Sequence, residues 1–364
     1  MTTYRVTALP GDGIGREVMS SAQSVLEELG RRFGFGLDWV EHDWSCEYYT
    51  RHGRMMPPDG LEQLAETDAI LLGAVGYPGV EDHVSLWGLL LPIRRGFRQY
   101  VNLRPVRLLR GITSPVAALN GVPDDERLDL VCVRENNEGE YSEIGGRLYR
   151  DTPDEVAIQE SVFTRRGVER VMRYAYELAG RRRGQLASAT KSNGIIHTMP
   201  FWDQIFDELA PAYPGVTGSR YHVDALAALF VLDPGRFDVV VASNLFGDIL
   251  TDLGAAVVGS IGIAPSANLN PEGDHPSMFE PVHGSAPDIA GQGIANPIGQ
   301  LWSAALMVEH LGQAEAADAL LGAIETVLVA GVRTPDLGGT ATTEDVTNAI
   351  TDALTGAVAP GPTR

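Results

Sequence analysis

Short apolar runs alternate with helical patterns along almost the whole chain, and that alternation is the strongest constraint on its fold. Strands read over Tyr4–Leu9, Leu37–His42, Asp68–Gly73, Asp129–Arg134, Leu186–Ala189 and Phe237–Ser243. Between them helices read over Arg16 to about Leu29, Pro57–Leu64, Arg94–Gln99, Thr164 to about Leu178, and Trp202–Leu209. This order predicts an α/β fold with a mostly parallel sheet. Tyr100–Arg107 reads as extended, because the residue before proline avoids the α region, and Tyr221–Asp224 ends another extended piece. Leu301–His310, Ala314–Val329 and Thr343–Leu354 read as helices. Gly76–Ser85 and Ser266–Pro281 read as loops, and residues 357–364 as a disordered tail. Thr164 is the expected cap of its helix, and Gly180 with the run Arg181–Arg183 its solvated end. At 364 residues the chain exceeds one ordinary core, so two domains are expected.

The last of those strands runs directly into Asn244-Leu-Phe-Gly-Asp-Ile-Leu-Thr-Asp252. Asp248 and Asp252 stand at i and i+4, so on a helix both carboxylates lie on one face, about 6 Å apart along the axis. Two acids one turn apart repel unless a cation sits between them. A hard divalent ion fits, because Mg²⁺ takes carboxylate and water oxygens. Alone, such a pair is more often an ordinary helix start, where acids suit the helix dipole.

Composition removes several classes of function. A net charge of −20 argues against binding nucleic acid or an anionic membrane. It also means that an anionic substrate needs a local basic pocket. Cys46 and Cys132 offer no C-x-x-C spacing, hence no zinc site or disulfide framework. No apolar run reaches the roughly 18 residues of a membrane span, and the start of the chain lacks a signal pattern. The chain reads as soluble and cytoplasmic.

Further residues have chemistry to offer. Arg94, Arg104 and Arg134 lie near turns, and arginine forks bind carboxylates bidentately. Tyr141 and Lys191 each follow a strand by a few residues, where α/β proteins bind ligands. A lysine desolvated near other cations can serve as a base, and a phenol can return a proton to a carbanion; the plainer alternative for both is a buried structural hydrogen bond. Glu280–Asp288 with Ile294–Pro297 is dense in small and polar residues, so backbone amides there can approach phosphates. Gly11-Asp-Gly-Ile-Gly15 lacks the full G-x-G-x-x-G spacing and reads as a tight turn that packs its helix.

Taken together, these segments resemble the isocitrate/isopropylmalate dehydrogenase family of β-decarboxylating hydroxyacid dehydrogenases. The matching pieces are Pro10–Gly15, Asn102-Leu-Arg-Pro105, Arg134-Glu-Asn-x-Glu-Gly-Glu-Tyr141, Thr190-Lys-Ser-Asn193, Val223-Asp224, Asn244–Asp252 and Glu280–Asn296. The resemblance implies a two-domain, non-Rossmann fold. Residues 1–102 and 261–364 would form the larger, cofactor-binding domain, and 103–260 the dimerisation and metal/substrate domain. It implies an obligate homodimer with shared sites, in which Asp248 and Asp252 hold Mg²⁺ or Mn²⁺ together with Asp224 from the partner copy. Lys191, also from the partner copy, would be the base toward the substrate hydroxyl, and Tyr141 the acid that protonates the enolate. Arg94, Arg104 and Arg134 would bind carboxylates of a small dicarboxylate, beside Leu90, Trp87 and Asn193. Glu280, His283, Gly284, Ser285, Ala286, Asp288 and Asn296 would cradle the cofactor, with Asp288 favouring NAD. K⁺ is a further candidate cofactor.

Relatives acting on isopropylmalate carry an acid where Trp87 stands and an apolar residue where Gly194 stands. An indole fills space and a glycine removes a wall, so the isopropyl slot is compromised, although Leu90 and Leu91 persist. His42–Pro57 and Ser85-Leu-Trp-Gly88 resemble the tartrate/D-malate branch of the family. The expected activity is NAD-dependent oxidative decarboxylation of D-malate, with tartrate also accepted. The alternatives are 3-isopropylmalate oxidation and, more distantly, a non-catalytic NAD or dicarboxylate binder, which would be expected to lack Lys191, Tyr141 or an aspartate.

Overall fold

The computed structural model describes residues 2–356, so the expected tail at 357–364 lies outside them. In chain order the strands are β1 (Thr2–Gly11), β2 (Phe35–Glu41), β3 (Ala69–Ala74), β4 (Val101–Arg107), β5 (Asp129–Glu135), β6 (Gly145–Leu148), β7 (Val156–Gln159), β8 (Gln185–Thr190), β9 (Thr217–His222), β10 (Val239–Ala242), β11 (Pro265–Leu269) and β12 (Ser277–Pro281). The α-helices are α1 (Gly15–Phe33), α2 (Cys46–His52), α3 (Gly60–Leu64), α4 (Asp82–Ser85), α5 (Leu91–Gly96), α6 (Arg165–Arg181), α7 (Thr198–Leu209), α8 (Val223–Leu232), α9 (Asn244–Val257), α10 (Ile298–His310), α11 (Ala314–Val329) and α12 (Thr343–Thr355). The chain divides into two units. The first takes the chain up to Gln99, Arg107–Arg127 and the described residues from Ala255 onward; the second takes Tyr100–Val106 and Leu128–Gly254.

In the first unit the strands lie in the order β2-β1-β3-β12-β11. All these pairings are parallel except β11 with β12. β3, Ala-Ile-Leu-Leu-Gly-Ala, is buried throughout, as a strand covered on both faces must be. α1 buries Val18, Met19, Ala22, Val25, Leu26 and Leu29, an i/i+3/i+4/i+7 stripe, and packs with α10 and α12. The glycine turn before α1 is a packing device. Gly11 has φ +73, and a Cβ there would lie 1.9 Å from the Ala74 carbonyl oxygen; one on Gly13 would lie 2.1 Å from that of Ser285. The Ile14 amide donates to the same Ser285 oxygen at 2.9 Å.

Two expected loops of this unit hold regular structure. Within Gly76–Ser85, Asp82–Ser85 is α4; a π-helical turn, Leu86–Leu90, then leads into α5, so Arg94 sits in mid-helix and the helix stops at Gly96, short of Gln99. Ser266–Pro281 contains most of β11 and all of β12, paired in register from Pro265 opposite Pro281 to Asn268 opposite Met278. Their polar composition hides them, because the side chains are satisfied internally: Asn268 donates to the Met278 carbonyl and to Glu280, and Ser277 Oγ accepts from the Asn270 amide.

In the second unit the order is β4-β5-β10-β8-β9, with β10 parallel to β5 and β8, and β8 parallel to β9. α6 packs on β5, β8 and β10. Thr164 caps it, accepting from the Gly167 amide at 3.0 Å. The helix runs through Gly180 to Arg181, and although Arg181 and Arg183 are exposed as expected, the two arginines that follow the helix also serve a buried acid. Arg182 Nε donates to the fully buried Asp238 at 2.7 Å and the Arg183 amide to the other oxygen at 2.7 Å. A buried acid must be paired, and these arginines do it. Asp224 is not in an extended piece: β9 ends at His222, and Asp224 lies in the first turn of α8. Among the described residues no helix is long and apolar enough to cross a membrane.

Gly11→Ala combines a left-handed backbone with a collision against a carbonyl that cannot move. We expect it to cost about 2–4 kcal/mol in denaturant unfolding; a loss below about half a kilocalorie would show that the turn is not tightly packed.

Candidate active site

The second unit builds its most polar cluster on one face of α9. Asn244, Asp248, Thr251 and Asp252 fall at i, i+4, i+7 and i+8, and so share that face. Arg134, the penultimate residue of β5, lies across it. Its Nε and Nη2 donate to Asn244 Oδ1 at 3.1 and 2.7 Å, and its Nη1 ion-pairs with Asp248. Gly247 makes the crossing possible, because a Cβ there would lie 2.6 Å from Arg134 Cγ. Arg104 of β4 supplies a second guanidinium. Its Nη1 is 2.7 Å from Thr251 Oγ1, 3.2 Å from Asp248 and 3.8 Å from Asp252. The repulsion foreseen between the two acids is thus relieved by arginine. Burial pushes the Asp252 carboxyl up, Arg104 and Arg134 pull it back, and Asp248 adds to the rise.

Tyr141 completes the cluster. Its hydroxyl donates to Asp248 Oδ2 at 3.0 Å, and its ring lies under the Arg134 guanidinium, 5.7 Å away. Burial and then Asp248 raise its pKa, so the phenol keeps its proton. Lys191, one residue past β8, pairs with Asp224 at 2.8 Å. That hydrogen bond lowers the Asp224 pKa. Asn193 is exposed beside them. Two couples therefore stand in this unit, Tyr141–Asp248 and Lys191–Asp224. Among the described residues no group of three or more His, Cys, Asp or Glu side chains is placed to hold a metal ion.

In the first unit Arg94 and Glu280 form a buried ion pair at 2.7 Å, with Asn268 on the same carboxylate at 2.8 Å. Trp87 lies under the Arg95 guanidinium at 5.1 Å, and Leu90 packs on the core beside Leu89. The His283–Ala286 stretch is held from within: His283 Nδ1 is 3.0 Å from the Gly284 oxygen, and Ala286 takes a left-handed φ of +39. Asp288 is exposed. Asn296 donates to Asp336 at 3.0 Å. Burial lowers the His283 pKa, leaving a neutral imidazole.

The sequence pattern of the isocitrate/isopropylmalate dehydrogenase family matches residues 5–353. The chain belongs to this family. It is 54% identical over 356 residues to the probable tartrate dehydrogenase/decarboxylase of Bacillus subtilis, covering 97% of this chain and 99% of that one. It is 56% identical over 358 residues to the D-malate dehydrogenase (decarboxylating) of Escherichia coli, covering 96% and 98%. Isocitrate dehydrogenase from Methylococcus capsulatus superposes with a TM-score of 0.86 at 31% identity, covering 96% and 99%.

Against the family's motifs, sequence reasoning passed over the polar neighbours that hold the site together. Asn244 and Thr251 were detectable, since they stand four residues before and three after Asp248 on a helix. The glutamates of Glu135–Tyr141 carry no spacing signal that reveals their partners. Glu135 is fully buried and accepts from the Asn137 and Glu138 amides at 2.8–3.1 Å. Burial nevertheless pushes its carboxyl from 4.5 up to about 7. Between those pH values the folded chain keeps a proton that the unfolded chain has released, so stability falls as pH rises through the window. Glu135→Gln should remove that fall. Relative to the variant, the parent should lose about 3 kcal/mol of unfolding free energy between about pH 5 and about pH 8. Parallel urea-unfolding profiles for the two proteins would refute it.

Proposed function

We propose that this chain oxidises D-malate with NAD and a divalent metal, releasing CO₂ and leaving pyruvate, and that it also turns over tartrate. The observation that carries the reading is the convergence of Arg104, Arg134 and Tyr141 on Asp248, with Lys191 held against Asp224. The names of its relatives support the same substrates. Family members generally use NAD(P) and a divalent metal.

Asp248 and Asp252 fit a hard cation, since both are carboxylates and their shared face already attracts a guanidinium. A third carboxylate, Asp224, comes on this reading from a second copy. That accounts for α8, Val-Asp-Ala-Leu-Ala-Ala-Leu-Phe-Val-Leu, which is apolar apart from Asp224 yet leaves Leu232 75% exposed, and for Ile249 at 57% on α9. Held by Asp248 and Asp252, a divalent metal would supply a Lewis acid for the substrate's C2 oxygen, and a bound nicotinamide would supply the hydride acceptor.

Everything else falls to the chain. Arg104 and Arg134 grip the carboxylates bidentately, and Arg94 is assigned to the same task. The amine of Lys191, brought with Asp224 by the second copy, takes the proton of the C2 hydroxyl. Once the C2 ketone stands β to the C3-linked carboxylate, that carboxylate leaves as CO₂, and Tyr141 returns a proton to C3. Asp288 suits a free ribose 2′-hydroxyl and would repel a 2′-phosphate, hence NAD. Trp87 fills the volume that an isopropyl group would need.

Steady-state rates with D-malate, tartrate and 3-isopropylmalate, with NAD or NADP, Mg²⁺ or Mn²⁺, and K⁺ or EDTA, test this reading. D-malate with NAD should lead and EDTA should abolish turnover; an isopropylmalate specificity constant about tenfold above that for D-malate would overturn the pocket argument. Lys191→Ala should still bind NAD but lose about 10²–10⁴-fold in hydride transfer; near-normal turnover would remove it as the base.

A further inference from the structure

Three glutamates, one ending β5 and two in the loop that carries Tyr141, have separate anchors. Glu135 closes on its own backbone. Glu138 accepts from the Thr164 amide and hydroxyl at 2.8 and 2.7 Å, at the start of α6. Gly139 then turns the chain with φ +84 and bridges Val162. Glu140 reaches the other way. Its Oε1 accepts from Ser243 Oγ at 2.8 Å, and its Oε2 from the Leu245 amide at 3.1 Å. These groups sit at the start of α9, where an unpaired amide needs an acceptor and the helix dipole favours an acid. The capping carboxylate is thus supplied by a different segment, and the residue next to it in sequence is Tyr141. Neighbouring side chains of one loop grip α9 at two levels, Glu140 at residues 243 and 245 and Tyr141 at Asp248, one turn further on.

We infer that Glu140 is a positioning residue that fixes the height of the Tyr141 hydroxyl along α9, and so the delivery of the proton to C3. The inference rests on the proposed role of Tyr141. Both carboxylate oxygens of Glu140 are taken by α9, at Ser243 and Leu245, so it is assigned no part in binding substrate or metal. Removing it frees the loop at the residue preceding the phenol and uncaps the helix at its first turn. Lys191 and the nucleotide, which carry out hydride transfer, do not touch this contact, and the acids assigned to the cation, Asp248 and Asp252, lie beyond the capped residues 243 and 245.

The test compares wild type, Glu140→Gln and Glu140→Ala in the full chain with D-malate, NAD and Mn²⁺. The rapid NADH burst should survive in both variants, with KM for D-malate and NAD within about twofold. Turnover should fall by about tenfold to a hundredfold in Glu140→Ala and less in Glu140→Gln, which keeps one acceptor oxygen. The solvent deuterium isotope effect on kcat should rise as proton delivery becomes limiting. Hydrogen exchange should quicken at residues 136–141 and at the Leu245 amide, but not in α6, whatever the substrate proves to be. Unchanged turnover, or burst and turnover lost in equal measure, would overturn the inference, as would unchanged exchange at Leu245. If wild type makes no NADH from D-malate, the proposed function fails instead, and exchange still decides the tether.

Discussion

One carboxylate organises the second unit. Asp248 accepts from Tyr141 and lies against both Arg134 and Arg104, so two positive side chains, each largely buried, depend on it. Removing one partner from such a group leaves the other charge uncompensated, which costs far more than the pair itself gains. The surrounding residues make sense as supports for that arrangement. Gly247 clears the path for the Arg134 stem, Asn244 holds two of its nitrogens, and Thr251 occupies a nitrogen of Arg104. Two guanidinium groups and two carboxylates meet on this one helix face, so the cluster balances its own charge.

Much of this was legible in the sequence because helical geometry is periodic. The spacing of Asp248 and Asp252 puts both on one face, and the strand–helix alternation gives the mostly parallel sheet. What stayed hidden depends on partners distant in sequence. β11 and β12 look like loop because their Ser and Asn side chains find partners only once the strands are paired. Arg182 and Arg183 look like a solvated end because their partner, Asp238, lies more than fifty residues away. Asp224 lies in the first turn of a helix whose apolar character has no periodicity to read, so its α8 merged with the strand before it. Glu140 is a helix cap that does not precede its helix, and no local pattern can reveal one.

The arginine bridge also bears on how the acids would exchange partners. Arg104 occupies the space between Asp248 and Asp252 in the chain by itself. A divalent ion held by the same two carboxylates would take over part of a charge compensation that arginine already supplies.

The pinning of Asp238 has a consequence for how this region can vary. The aspartate is locked to the end of α6 at one edge of β10, and the four-residue strand then leads, after a single serine, into α9. The segment behaves as a strut of fixed length. Apolar exchanges within it leave the strut intact, but one residue added or lost would rotate α9 by about 100° and swing its acids off the arginines. Sequence drift here is therefore confined to substitution, and insertions and deletions must fall elsewhere.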